Sequence, residues 1–211
     1  MPTIAELWRS SDPTAWDAAL ERYWSLVRSA NLALEQALDQ LDLARIRSLD
    51  AQGWYTFLRS EYFRWKYTAA NRYATTTRNL EKYTAEPGGL ERLHDIKCRL
   101  LEIDPSDIPT GLYVADEIRG LGPAGASGLL ALMYPATFAT VDQFVVKALR
   151  GVGNLPEGDT LARMKPKSLT PAYGVMLIGI MARKAAENNR LFGTATWTPR
   201  KIDQVLWTYG R

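Results

Sequence analysis

Cysteine and histidine are almost missing from this 211-residue chain, which has one of each, Cys98 and His94. A single cysteine excludes an intramolecular disulfide and fits a reducing compartment, so a cytoplasmic location is expected and Cys98 reads as a small buried hydrophobe. One histidine and one cysteine do not make a zinc site, and no metal or other cofactor is expected. A Ser–His–Asp triad through His94 lacks any sequence resembling a nucleophile elbow. No apolar run approaches the roughly 18 residues of a membrane span. The opening Met1-Pro2-Thr3-Ile4-Ala5-Glu6 has neither a basic nor an apolar leader segment, so no secretory signal is expected. An excess of one charge sign is also nearly absent. Twenty-six Lys and Arg face 23 Asp and Glu, a net charge of +3 with a pI near 9.0, which permits nucleic-acid binding without demanding it. Strand-like alternation, internal repeats and low-complexity tracts are missing too.

What is present is helical periodicity, and the expected fold class is all-α. Ser11-Asp12-Pro13 reads as a helix start, with Trp16, Leu20, Tyr23 and Val27 following at helical spacing. Leu34, Leu38 and Leu41 mark a second helix, and Trp54, Phe57, Leu58, Tyr62 and Trp65 a third. A break near Thr68 precedes a fourth helix through Tyr73, Thr77 and Leu80, and a fifth carries Leu90 to Leu100. Residues 151–168 are rich in Gly, Pro and polar side chains and read as a loop. An apolar helix over 169–188 follows, and Thr198-Pro199 caps the last one.

The segment from Ile118 to Asp142 carries the most information. Ile118-Arg119-Gly120-Leu121-Gly122-Pro123-Ala124-Gly125 places two glycines around one apolar residue at a helix-to-helix junction. Glycine permits the tight turn and close approach of a ligand to the backbone, and Pro123 fits the first turn of the next helix. The amides of Gly122, Ala124 and Gly125 would then face outward at a helix N-terminus, an anion site. A tight loop between packed helices accounts for the hairpin equally well when it is taken alone. Tyr134-Pro135 ends the second helix. Val141-Asp142 opens another, where Asp142 is favoured by the helix dipole and also reads as a simple N-cap.

Residues 118–149 resemble the helix-hairpin-helix DNA glycosylase superfamily, whose Gly-apolar-Gly hairpin and downstream aspartate match Gly120-Leu121-Gly122 and Asp142. The resemblance implies a two-lobed helical fold. One lobe, residues 45–150, would carry the helix-hairpin-helix (118–133) and Asp142, and residues 1–44 plus 151–211 would form the second. It also implies that Asp142 is catalytic and that Gly120, Gly122, Ala124, Gly125 and Arg119 bind DNA. The iron–sulfur cluster of some members needs four cysteines, which this chain lacks. The hairpin lysine of lyase-competent members is matched by Ala124 or Gly125, so the implied enzyme is monofunctional and leaves an abasic site. Phe144 stands where many relatives have a polar residue that contacts phosphate.

The stretch from Tyr62 to Arg72 packs four aromatics, three cations, Thr68 and Asn71 into eleven positions. Most of it fits a core face with cations reaching into water. In the resembling family this region borders the pocket for an extruded base, which makes Tyr62, Lys66, Tyr67 and Asn71 the base-pocket candidates. Arg59, Arg64, Lys66, Arg72 and Arg78, with Arg183, Lys184, Arg190, Arg200 and Lys201, are candidates for a phosphate-tracking surface, although each alone reads as a solvated charge. The expected partner is double-stranded DNA with an extruded base, acted on by a monomer with no membrane partner. The substrate is a damaged base in a repair role, or a hypermodified base such as glucosylated hydroxymethylcytosine in antiphage defence. A non-enzymatic DNA-binding module and a helical protein-interaction domain are the competing classes.

Overall fold

The computed structural model describes residues 2–211, and among them there are helices and turns but no strand. Helix α1 (Ile4–Arg9) opens on a capping box in which Glu6 N–H donates to Thr3 Oγ1 at 3.2 Å and Thr3 N–H to Glu6 Oε2 at 2.7 Å. Helix α2 (Pro13–Leu26) begins behind the N-cap Asp12 with proline in its first turn, as the sequence predicts. Helices α3 (Ser29–Asp39), α4 (Leu43–Ser48) and α5 (Ala51–Phe57) follow, the last two capped by Asp42 and Asp50. A π-helical turn at Leu58–Tyr62 joins α5 to α6 (Phe63–Lys66). The wider turn shifts the helical register, which changes the direction taken by every side chain after it.

The expected break near Thr68 separates α6 from α7 (Ala70–Ala85), and α8 (Gly89–Glu102) follows the Glu86-Pro87-Gly88 turn. Helix α9 (Ile108–Asp116) starts behind Asp107 with Pro109 in its first turn. The remaining helices are α10 (Gly122–Met133), α11 (Gln143–Val152), α12 (Gly158–Arg163), α13 (Pro171–Phe192) and α14 (Pro199–Gly210). The stretch expected to be a loop at 151–168 therefore holds a short helix. Arg150 fastens it, donating from Nε to Leu161 O at 2.8 Å and from Nη2 to Met164 O at 2.5 Å. Cys98 is half-buried on α8 rather than enclosed in the core.

A single contiguous apolar core holds these elements together. Residues Gly125 to Met133 of α10 are all buried, so this helix has no solvated face beyond its first turn. Helix α9 packs along α10 and against α13, while α14 packs against α2, α11 and α13. The approach of α14 to α11 is close: a Cβ on Gly210 would stand 1.9 Å from the carbonyl oxygen of Phe144. Helix α11, on which Asp142 sits as N-cap, also packs against α1 and α12.

Candidate functional site

The hairpin is built as the sequence predicts, but its two glycines do different work. Both have positive φ, +99° at Gly120 and +61° at Gly122, a region that side chains with a Cβ avoid. A Cβ on Gly120 would lie 2.7 Å from the carbonyl oxygen of Thr76, so this glycine lets the turn press against α7. A Cβ on Gly122 would meet nothing within 4 Å, and the residue is exposed. Gly122 is therefore the position where an outside group can approach the backbone. Ala124 is half-buried beside it. Gly125 is buried, with its Cβ position 2.5 Å from the hydroxyl of Tyr67, and does not share the open surface expected of it.

Tyr67 and Tyr62, expected to line a base pocket, support the hairpin from beneath. The Tyr67 hydroxyl is shared between Leu121 O at 2.9 Å and Gly120 O at 3.0 Å, and Tyr62, with no exposed surface, donates to Gly125 O at 2.5 Å. Burial raises the pKa of both phenols, which keeps them protonated as donors. Asn71 is exposed on α7, in a shallow hollow that Tyr67, Arg72, Thr75, Thr76, Gly120 and Leu121 also line, so two of the base-pocket candidates meet there. This hollow, about 360 Å³, lies beside the hairpin and is separate from the cleft that Asp142 lines. Arg119 is held by Glu86 Oε1 at 2.6 Å and lies over the ring of Tyr83 at 4.9 Å. Its guanidinium points to the α7–α8 side, away from the open face of Gly122.

Asp142 is the N-cap of α11, and Oδ1 accepts from Phe144 N–H at 2.8 Å and Val145 N–H at 3.1 Å. The segment leading into it is tied on two sides. Val141 N–H donates to Ser127 Oγ of α10 at 3.0 Å, and Thr140 N–H to Asp203 Oδ2 of α14 at 2.6 Å. These bonds fix where the carboxylate stands. Oδ2 of Asp142 makes no hydrogen bond with the described residues, and Asp142 lines a cleft of about 320 Å³.

The cleft has aromatic walls and a charged floor. Tyr23, Trp65, Phe144 and Trp207 contribute rings, with Phe144 edge-on to Trp207 at 6.0 Å. Phe144 thus serves as part of a wall rather than as a phosphate contact. The floor is a buried network centred on Arg200, which is 4% exposed. Its Nη1 meets Asp203 Oδ1 at 2.8 Å, its Nη2 meets Glu35 Oε1 at 3.2 Å, and its Cζ lies 5.4 Å from the centroid of the Trp65 ring. Glu35 also accepts from Trp65 Nε1 at 2.6 Å and from the Tyr23 hydroxyl. Burial pushes the Asp203 carboxyl up to about 7, against the opposing pull of Arg200 and the Thr140 amide. Lys66 lines the same cleft, the one base-pocket candidate that does.

Two of the expected phosphate-tracking cations are internal. Arg200 belongs to the cleft floor. Lys184 is buried, donating to Trp8 O at 2.6 Å and to Glu187 Oε2 at 3.0 Å over the rings of Trp8 and Trp16, so it anchors α1 on α13. Arg28 and Arg211, which carried no sequence signal, are exposed where the cleft opens. Glu35, Asp203 and Trp207 were missed as site residues because they come from α3 and α14, far from the hairpin in sequence, and Arg200 was expected at a phosphate-tracking surface rather than in the cleft floor. A carboxylate beside the apolar positions Leu34 and Leu38 was the available signal for Glu35. Among the described residues, no helix is long and apolar enough to cross a membrane. Comparisons with protein-family models, curated proteins and solved structures return no match to this chain.

Proposed function

We propose that this protein is a DNA N-glycosylase that draws a modified or damaged base into the cleft and cleaves its bond to deoxyribose. The observation that carries this reading is the situation of Asp142. One carboxylate oxygen is committed to capping α11, while the other is unpartnered at an aromatic-walled cleft of base-accommodating size. Positive charge develops on the sugar as a base leaves, and a fixed carboxylate stabilises that charge and orients the attacking water. Aromatic rings stack on an extruded base, and the polar floor offers Asp203, Glu35 and Arg200 to its edge. Gly122 and Ala124 would hold the phosphate backbone through their amides, positioning the strand without reading its sequence. The substrate is a damaged base in repair, or a hypermodified one in defence against phage.

The test is base release from oligonucleotides carrying oxidised, alkylated, deaminated and phage-type modified bases, developed with alkali or an abasic-site nuclease. Wild-type protein should release at least one base, and Asp142→Asn should bind the same duplex without releasing it. A second reading, a non-enzymatic DNA-binding module, draws on the complete N-cap at Asp142. It is favoured if DNA binds and no base on the panel is released.

A further inference from the structure

One wall of the cleft is fastened differently from the rest. Helix α3 and the connection before it contribute Leu26, Val27, Arg28, Asn31 and Glu35 to the lining. Asn31, Glu35 and Leu38 recur at helical spacing along one side of α3, and only Glu35 and Leu38 are buried. Helix α10, by contrast, is buried without a break from Gly125 to Met133. Little apolar surface therefore holds α3 in place, and its attachment is mainly polar. The Glu35 carboxylate accepts from Trp65 Nε1, Arg200 Nη2 and the Tyr23 hydroxyl, three groups that line the cleft themselves. Short links that are not helical flank α3. On one side Val27 and Arg28 are both extended, and Arg28 offers no side-chain cap. On the other, residues 40–42 lead into α4. Next to that second link, Asp39 Oδ1 accepts from Gln204 Nε2 of α14 at 2.9 Å.

We propose that α3 is a gate on the cleft, latched by Glu35, that pivots about residues 40–42 and swings free at residues 27–28 to admit a ligand. Segments with few buried apolar contacts open locally at low free-energy cost, and the lids of binding sites are drawn from them. The Asp39–Gln204 bond stands at the pivot end, while the cleft-lining residues of the gate stand at the end that swings. Release of the latch strands no charge. The Glu35 carboxylate regains water in place of its three donors, and Arg200 keeps Asp203 as its partner at 2.8 Å. Leu38 is the one buried apolar side chain of α3 that has to leave its neighbours. Opening uncovers the Trp65 and Tyr23 side chains that Glu35 joins, and closure rebuilds the wall around whatever has entered. The gate concerns entry to the cleft, and it operates whatever reaction follows there.

The experiment follows the free protein, without DNA, by amide hydrogen exchange and hydroxyl-radical footprinting, both read by mass spectrometry. In the wild type, amides of residues 29–39 should exchange about tenfold or more faster than those of α10, relative to their unstructured rates, because the gate opens without the core. Glu35→Gln keeps the side chain's shape and removes its charge. It should speed exchange over 29–39 by about tenfold or more, the effect of weakening hydrogen bonds to a charged group, and leave α10 unchanged. In the same variant Trp65 should react faster with the radical, whereas the fully enclosed Trp54 should not. The wild-type comparison of the two helices decides the matter if Glu35→Gln folds poorly. Three results would overturn the gate: exchange over 29–39 no faster than in α10, equal acceleration of both helices in folded Glu35→Gln, or unchanged labelling of Trp65. No DNA is present, so base release on the modified-base panel remains a separate result on which the glycosylase reading stands or falls.

Discussion

The hairpin sets a glycine that packing requires beside one that only the proposed DNA contact would require, and substitution separates the two. Gly120→Ala faces two costs. The left-handed backbone at φ +99° costs about 1–2 kcal/mol for a residue with a Cβ. A Cβ 2.7 Å from a backbone oxygen forces the turn off α7, an overpacking cost of about 1–3 kcal/mol. The sum is about 2–5 kcal/mol. Gly122→Ala has only the backbone cost of about 1–2 kcal/mol, because its Cβ would enter open space. For a chain of this size, 1 kcal/mol moves the melting temperature by about 2–4 °C. Thermal denaturation should therefore show Gly120→Ala falling by about 4–20 °C and Gly122→Ala by about 2–8 °C. Binding should rank the other way among folded variants. Gly122→Leu should fold and bind duplex DNA more weakly by fluorescence anisotropy, to a similar extent across sequences, because a backbone phosphate contact carries no base information. Wild-type affinity should fall with added salt. If Gly122→Leu binds as wild type does, or Gly120→Ala is fully stable, the hairpin is merely a connection and the division is wrong.

Removing Arg200 should be costly because it leaves Glu35 and Asp203 without their shared cation. Arg200→Met should lose about 3–5 kcal/mol in chemical denaturation, with Glu35→Gln and Asp203→Asn added to the same variant recovering most of it. Arg200 lowers the Asp203 pKa, so without it Asp203 should hold its proton to higher pH, and the deficit of Arg200→Met should grow as pH rises through and above about 7; a flat difference there would contradict the buried network. The lowered pKa of Lys66 has the opposite sign. The folded state binds that proton less tightly than the unfolded state, so its contribution to stability rises with pH towards the unfolded lysine value, and the wild-type curve should gain on Lys66→Met over that window. Parallel curves for the two proteins would mean that the amine is as well hydrated as on a surface.

Sequence reading succeeded where the chemistry was local. The turn at Gly120-Leu121-Gly122, the helix start at Asp142 and the break near Thr68 each depend on neighbours a few residues away. It failed where direction depends on tertiary packing. The π-helical turn at Leu58–Tyr62 changes the register before the aromatic stretch, and periodicity of ordinary helices gives no sign of it. Tyr62 and Tyr67 consequently rise beneath the hairpin, while Trp65 and Lys66 reach the cleft. Arg200 looked like a solvated charge opening the last helix because charged residues ordinarily are. Helix α14 instead buries Arg200, Asp203 and Gln204 along with Ile202, Val205 and Leu206, so both its polar and its apolar side chains face the interior. The spacing Arg200 to Asp203 was the legible trace of that arrangement, since three residues apart on a helix are neighbours. Their third partner, Glu35, is 165 positions from Arg200, beyond the reach of any local pattern.

Capping and chemistry at Asp142 are compatible, and two substitutions can show it. The two amide bonds to Oδ1 hold the side chain in one rotamer, and the Ser127 and Asp203 contacts hold the backbone before it. A carboxylate so restrained needs little reorganisation as charge develops on a bound sugar, which is what electrostatic preorganisation requires. Asparagine caps helices about as well as aspartate, whereas alanine forfeits the cap at about 1 kcal/mol. Asp142→Asn should therefore match wild-type stability within a few tenths of that amount, and Asp142→Ala should lose about 1 kcal/mol. Both should lose base release, because both lose the charge. If Asp142→Asn retains activity while Asp142→Ala does not, the residue contributes only its cap, and the nucleophilic or charge-stabilising group must be sought elsewhere in the cleft.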